Sequence, residues 1–532
     1  MDKVKQQLII DGKTTIGIEL GSTRIKAVLI GEDFTPLASG IYNWENRCEN
    51  GVWTYSLDDI KKGLAGCFSA LMDYVKRRFC IDLETTGSIG VSAMMHGYFP
   101  FDAKGELLTP FRTWRNTITE EAAFKLTDVF NMNIPQRWSI AHLYQAILNG
   151  EENVSRIDYL TTLAGYVHWQ LTGEKVIGIG DASGMFPISP DTMTYNKGML
   201  DKFAKLTEST SFTQSLVDIL PNIVSVGECA GKLSESGARL LDPSGVFKAG
   251  VPLCPPEGDA QTGMVATNSI APKTGNVSAG TSIFAMAVLE RELEKVHSQI
   301  DIVTTPCGNP VAMVHCNNCT TDLDAWVKLF GACLDMFDVG RSRSEIYERL
   351  YAASLEADED CGGLVACNYY SGEHVTGFTT GRPMLLRAPD SEFSIANLMR
   401  TLIFTSMATL KIGMDILINE ENITLEKIYA QGGLFKVPVV GQRFRAGALG
   451  VPVALMKSAG EGGAWGIAVL AAYMLRSDKS ESFEDYLENR VFDGMSGEVI
   501  EPVEEDCASF ALYAQAFKKA LAAERAATDD AS

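Results

Sequence analysis

The feature that most constrains this chain is a short unit that occurs twice. Residues 14–30 read TTIGIELGSTRIKAVLI, two β-prone runs (Thr15–Leu20 and Ile25–Ile30) around the polar turn Gly21-Ser22-Thr23. Branched residues on both sides of a short glycine turn predict a hairpin. A third run, Leu37–Tyr42, follows Gly31-Glu32-Asp33, so the chain opens as an antiparallel meander. A dinucleotide-binding fold places a helix after its first glycine turn; here a strand follows, which argues against that fold. The theme returns roughly 260 residues later, as Gly275–Gly280 and Ile283–Val288 around Gly280-Thr281-Ser282. A duplicated pair of similar α/β domains facing each other across a cleft would produce this repeat. We place their boundary near residues 262–272, giving domains 1–266 and 267–532. The lack of a Pro/Ser-rich linker there predicts close packing.

The 532 residues are enough for two substantial cores, and 46% hydrophobic with 21% charged residues is a globular balance. A helix is expected over Asp58–Arg78, capped by Asp58 or Ser56, and a buried strand over Ser88–Ser92. Residues 139–172 read as helical throughout. Leu398–Leu417 reads as an amphipathic helix, Lys427–Ala430 as a strand and Cys507–Arg525 as a helical tail. The net charge of −21, with no basic stripe, argues against nucleic acid as a partner. A nucleotide is still admissible, because phosphates need only local N–H groups and a metal ion. Twelve scattered cysteines suggest a reducing compartment. The first residues lack a signal peptide's apolar region, and Ala464–Leu475 falls short of the ~20 residues that span a bilayer. A cytoplasmic protein with no membrane partner is therefore expected. His315–Cys319 contains a C-x-x-C, but Cys361 and Cys367 lack the spacing of a second zinc pair, so buried thiols are expected.

The landmarks also follow a recognisable order: GIELGSTRIKAVL at 17–29, MMHG at 94–97, TWRNT at 113–117, LTGE at 171–174, GDAS at 180–183, GDAQ at 258–261, SAGTS at 278–282, QGGLFKVP at 431–438, GVPV at 450–453 and EGGAWGIA at 461–468. Together they resemble the FGGY carbohydrate kinases, of the actin-, hexokinase- and Hsp70-like ATPase superfamily. The resemblance implies two actin-like (ribonuclease H-like) α/β domains flanking a central cleft, with ATP and Mg²⁺ as cofactors and a small sugar as substrate.

It also implies roles for particular residues. Gly21, Ser22 and Thr23 would form the first phosphate loop, and Gly280, Thr281 and Ser282 the second. Glu19 would hold Mg²⁺, where most relatives have Asp. Asp259 would be the general base, at the start of a helix whose dipole favours its ionised form. Met95, His96, Trp114 and Asn116 would bind the sugar, with Asn116 standing where relatives often have Asp. Gly432, Gly433 and Lys436 would line the adenosine, and 459–466 would serve as a small-residue hinge. Plainer readings stand beside these: a hairpin turn, an N-cap, an interior histidine, a core tryptophan and a solvated lysine. The function implied is transfer of the γ-phosphate of ATP to a primary sugar hydroxyl. L-ribulose is favoured by the Trp-Arg-Asn variant and the extended segment Gly178–Ser189; xylulose comes next, then other ketoses or polyols. A sugar- or nucleotide-responsive binding protein that has lost catalysis is the alternative from another class, and a homodimer is the assembly considered.

Overall fold

The computed structural model describes residues 2–432, 440–455, 462–494 and 498–529. They form two compact units. The first comprises Met1–Ile270, Ile302–Val311 and Ser458–Gly494; the second comprises Ala271–Asp301, Ala312–Lys457 and Met495–Ser532. The first stretch of the first unit ends at Ile270. Residues 302–311 and 462–494 pack into the first unit.

The first unit opens with the expected meander: β1 (Thr15–Leu20), β2 (Arg24–Ile30) and β3 (Pro36–Asn43). β1 also pairs in parallel with β4 (Ser88–Ala93). Side chains alternate across a strand, so Ile16, Ile18 and Leu20 face one side while Gly17 and Glu19 face the other. The isoleucine side is covered by α1 (Leu57–Phe79). Ser56 caps α1, its Oγ accepting from the Asp59 N–H at 3.1 Å, which selects between the two expected caps. The buried stripe Ile60, Leu64, Cys67, Phe68, Leu71 and Val75 has helical spacing and meets the sheet.

The opposite side is covered by α3 (Gly462–Met474), next to α2 (Asp259–Ala266). Glycine makes this contact possible. A Cβ at Gly17 would lie 1.9 Å from the Ala464 carbonyl oxygen, and one at Gly466 would lie 2.0 Å from the Thr262 carbonyl oxygen. Backbone thus lies on backbone from β1 through α3 to α2. The small-residue run expected as a hinge packs, from Gly462 on, inside the first unit.

The reading of 139–172 as one helical stretch is corrected. Ser139–Leu148 and Leu163–Thr172 are helices, but a 3-10 turn (Glu152–Arg156) and the strand Tyr159–Thr161 separate them. Gly150, at φ +66°, ends the first helix, and Tyr159–Thr161 pairs with Phe99–Phe101. The segment 178–189, expected to be extended, contains the helical turn Ile179–Ala182.

The second unit repeats the topology. β5 (Thr274–Ala279) pairs antiparallel with β6 (Ile283–Val288) and in parallel with β7 (Lys427–Gly432), as β1 does with β2 and β4. The strand Pro310–Cys316 lies next to β6 as β3 lies next to β2. The helix Ile395–Asp415 is buried along most of its length. With its extension to Glu420 it is long and apolar enough by composition to cross a membrane, yet 72% of that window is buried in the fold. It carries Arg400, whose guanidinium donates to the carbonyls of Ser354, Leu355 and Asp358. A charge so placed suits a protein core better than lipid.

Candidate active site

In the first unit the site grows from the C-terminal ends of β1 and β4. Glu19 is the last residue of β1 on the α3 side. Its Oε2 accepts from the Ala464 N–H at 3.2 Å, in the first turn of α3. Gly17 admits the helix, and Glu19, one pleat further on, receives its N-terminus. Lys26 stands opposite Glu19 in register on β2. Desolvation, followed by the charge of Asp259, pushes the Glu19 carboxyl up to about 7; the Ala464 N–H, Lys26 and Arg24 oppose the shift. A carboxyl in this position gains from a nearby cation.

Asp259 is the first residue of α2. Its Oδ1 accepts from the Met95 N–H at 3.2 Å, which ties α2 to the loop after β4. Burial raises its carboxyl to about 6, while the N–H groups of Met95, Ala260 and Asp259 itself pull it down. At about 6 the ionised form is favoured at neutral pH, the form that can accept a proton. Met95 contributes through its backbone. Next to it His96 is buried at φ +68°, and its Nδ1 lies 3.1 Å from the Gly184 carbonyl. A carbonyl only accepts, so Nδ1 carries the proton. Burial and the Arg137 charge drop the imidazole to about 3, so it is neutral, with Nε2 as an acceptor.

Two acids of this site escaped sequence reasoning. Asp181 is fully buried; its Oδ2 accepts from the Thr162 hydroxyl at 2.6 Å, and its Oδ1 has no partner among the described residues. Burial pushes it up to about 7, helped by the charge of Asp259. Glu257 lies behind it, accepting from the Asp181 N–H at 2.8 Å and the Gly180 N–H at 3.3 Å, and is raised to about 8 chiefly by burial. The signals were present: Gly180-Asp181-Ala182-Ser183 is a landmark, and Glu257 precedes Gly258-Asp259. Recognising them required knowing that both are buried.

The first glycine turn is held from within. Trp44 Nε1 donates to the Gly21 carbonyl (2.7 Å), Tyr55 to the Ser22 carbonyl (2.6 Å) and the Trp44 N–H to the Thr23 carbonyl (3.1 Å). Trp44 and Tyr55 stack at 4.1 Å. All three carbonyls of the turn are thus taken on the protein side. Trp114, 37% exposed, reaches the same turn, its Nε1 lying 3.4 Å from Ser22 Oγ.

Asn116 is engaged by backbone groups. It is buried; its Oδ1 accepts from the Trp53 N–H, and its Nδ2 donates to the carbonyls of Trp53 and Thr113, each at 2.9 Å. Both amide protons serve the backbone, which gives a physical reason for Asn rather than Asp here. Asn116→Asp would turn a carboxylate toward two carbonyls. We expect it to lower stability by about 3 kcal/mol at pH 7.5, measured by urea unfolding. An unchanged midpoint would contradict this role.

In the second unit, Gly280-Thr281-Ser282 joins β5 to β6, with the Gly280 N–H donating to the Ser282 carbonyl at 2.8 Å. Thr281 is exposed. The N–H groups of Cys319 and Thr320 donate to the Thr281 and Gly280 carbonyls, and so anchor this turn as aromatic residues anchor the first. Gly432 ends β7 in register with Ala279, one residue before the turn. Gly433 and Lys436 lie outside the described residues. Cys316 and Cys319 are buried free thiols.

Among the described residues no three His, Cys, Asp or Glu side chains converge to hold a metal. The site does fit Mg²⁺ in its usual manner, through one or two carboxylates with the remaining positions left to phosphate and water. Glu19, raised by burial and by Asp259, is the side chain that would hold it.

The model of the N-terminal domain of the FGGY family of carbohydrate kinases matches residues 14–266, and that of the C-terminal domain matches 275–475. Solved structures share the fold at low identity. A xyloylose kinase from Brucella ovis aligns with TM-score 0.77 and 18% identity over 96% of this chain and 99% of its own. A xylulose kinase from Lactobacillus acidophilus aligns with TM-score 0.76 and 18% identity over 96% and 99%. A gluconate kinase from Lactobacillus acidophilus aligns with TM-score 0.75 and 18% identity over 96% and 99%. No curated protein sequence matches the chain.

Proposed function

The chain belongs to the FGGY family of carbohydrate kinases, and on that premise we propose that it transfers the γ-phosphate of ATP to a primary hydroxyl of a ketopentose, L-ribulose first and xylulose second. One observation carries the chemistry: Asp259 stands at a helix start with its Oδ1 fixed by the Met95 N–H, next to the buried His96 held by the Gly184 carbonyl. Asp259 takes the proton of the attacking hydroxyl, while His96 Nε2 orients the sugar by accepting from another hydroxyl. Each anchored turn, 21–23 in the first unit and 280–282 in the second, offers N–H and hydroxyl groups of the kind that bind phosphate. Mg²⁺, when bound, neutralises charge on the phosphates, with Glu19 as its protein ligand.

The preference for L-ribulose rests on sequence resemblance to the ketopentose branch. Asn116, engaged by the backbone, no longer contributes to it. The test is ADP release with L-ribulose, xylulose, gluconate and glycerol compared by kcat/KM. The reading expects L-ribulose to lead, and gluconate or glycerol leading would overturn the ketopentose assignment.

A pH profile tests the base. The ionised carboxylate is the active form and Asp259 sits at about 6. With Mg²⁺–ATP high enough to keep Glu19 ionised, kcat/KM for the sugar should therefore be level above pH 7 and fall about tenfold per unit below pH 6. A profile level down to pH 5 would remove Asp259 from the role.

A further inference from the structure

The helix Thr321–Met336 of the second unit buries only one side. Asp322, Leu323 and Val327 are buried, whereas Ala325, Leu329, Ala332, Cys333 and Met336 are exposed. At 3.6 residues per turn these five share one face. Leu329 is 58% and Met336 80% exposed, and Phe337, just past the helix end, is 73% exposed. A single exposed leucine needs no explanation, but a continuous apolar stripe marks a place of contact. One edge of the stripe carries two exposed charges, Lys328 and Asp335, seven residues apart and so in line along the helix. Cys333 lies on the other edge.

We propose that this face is a self-association surface, on which the helix packs antiparallel against the same helix of a second copy of this chain. The two-fold axis would pass between residues 331 and 332. Such an axis brings like edge to like edge with the direction reversed. Lys328 then meets Asp335 of the partner subunit, and Asp335 meets Lys328 of the partner subunit. This ordering of one positive and one negative charge along a single edge is what makes the face complementary to itself. Parallel pairing about a two-fold axis would instead set this charged edge against the Cys333 edge of the partner subunit and leave both charges without an opposite charge to meet. Leu329 falls between Ala332 of the partner subunit and Met336 of the partner subunit, a large side chain next to a small one, as close helix packing requires. Cys333 comes near Cys333 of the partner subunit on the other edge. The inference is independent of the sugar and of catalysis.

The test is analytical ultracentrifugation of the full chain at micromolar concentration. The wild type sediments as a dimer. Lys328→Glu and Asp335→Lys each raise the dissociation constant about tenfold or more. The double variant K328E/D335K, with the charges exchanged, returns to within about threefold of wild type. A short bismaleimide links two wild-type copies but not Cys333→Ser, in which exposed Cys48, Cys80 and Cys229 remain as internal controls. A wild type that stays monomeric would overturn the proposal and leave the stripe to a different protein. A dimer insensitive to both charge reversals, or crosslinked equally well without Cys333, would also overturn it.

Discussion

Asp259→Asn should lower kcat/KM for the sugar about 10³-fold, or about 4 kcal/mol of transition-state stabilisation, and leave the fold intact. Asparagine keeps the Oδ1 that accepts from the Met95 N–H, so the bond between α2 and the loop after β4 survives. It loses only the capacity to accept a proton. Stability should be unchanged or slightly raised at pH 8, because a carboxylate whose ionisation burial opposes, and which opposes ionisation of Glu19, has gone. Steady-state kinetics together with urea unfolding check both halves. Retained activity in a folded Asp259→Asn protein would assign the base elsewhere, with Asp181 the next acid to examine. Collapse of the fold would show that the negative charge itself, rather than the Oδ1 acceptor, holds α2 in place.

Gly466→Ala should cost both stability and activity. A Cβ there would lie 2.0 Å from the Thr262 carbonyl oxygen and 2.9 Å from its carbon, so it meets backbone that no side-chain rotation can clear. Either α3 or α2 must move. Overpacking of this kind costs about 3 kcal/mol, at the upper end for a single added carbon. Because α2 begins with Asp259, a shift of about 1 Å would also cost about 10²-fold in kcat/KM. Gly263→Ala, inside α2, is the control. A Cβ at Gly263 meets nothing within 4 Å, and alanine in a helix interior is favoured by about 0.5–1 kcal/mol over glycine. The two alanines should therefore move the urea midpoint in opposite directions. Equal effects would mean that the contact between α3 and α2 is not tight.

What could be read from the sequence was local in origin. The two glycine hairpins are legible because strand alternation and a short turn are properties of neighbouring residues. Asp259 is legible as a helix start because Gly258-Asp259 precedes a helical run. The start of α1 was narrowed to two residues, and the geometry chose Ser56. The rest depends on partners distant in the chain. Glu19 receives the N-terminus of a helix 445 residues away, and only the fold puts Gly17 under that helix. Asn116 could be seen as a departure from the family pattern, but its engagement with Trp53 could not, since the two are 63 residues apart. The strand Tyr159–Thr161 was lost inside an apolar stretch because three residues show no periodicity, and its partner, Phe99–Phe101, lies well upstream. Asp181 and Glu257 are ordinary acids in sequence and become part of the site only through burial.

The central claim is that a carboxylate-assisted phosphoryl transfer to a sugar hydroxyl takes place here. The most direct measurement is ³¹P NMR of a reaction containing protein, Mg²⁺–ATP and L-ribulose, read alongside ADP formation. The account predicts a phosphate monoester on the sugar's primary carbon, formed one for one with ADP and absent with Asp259→Asn. ADP that appears together with inorganic phosphate, at a rate that ignores the sugar, would contradict it.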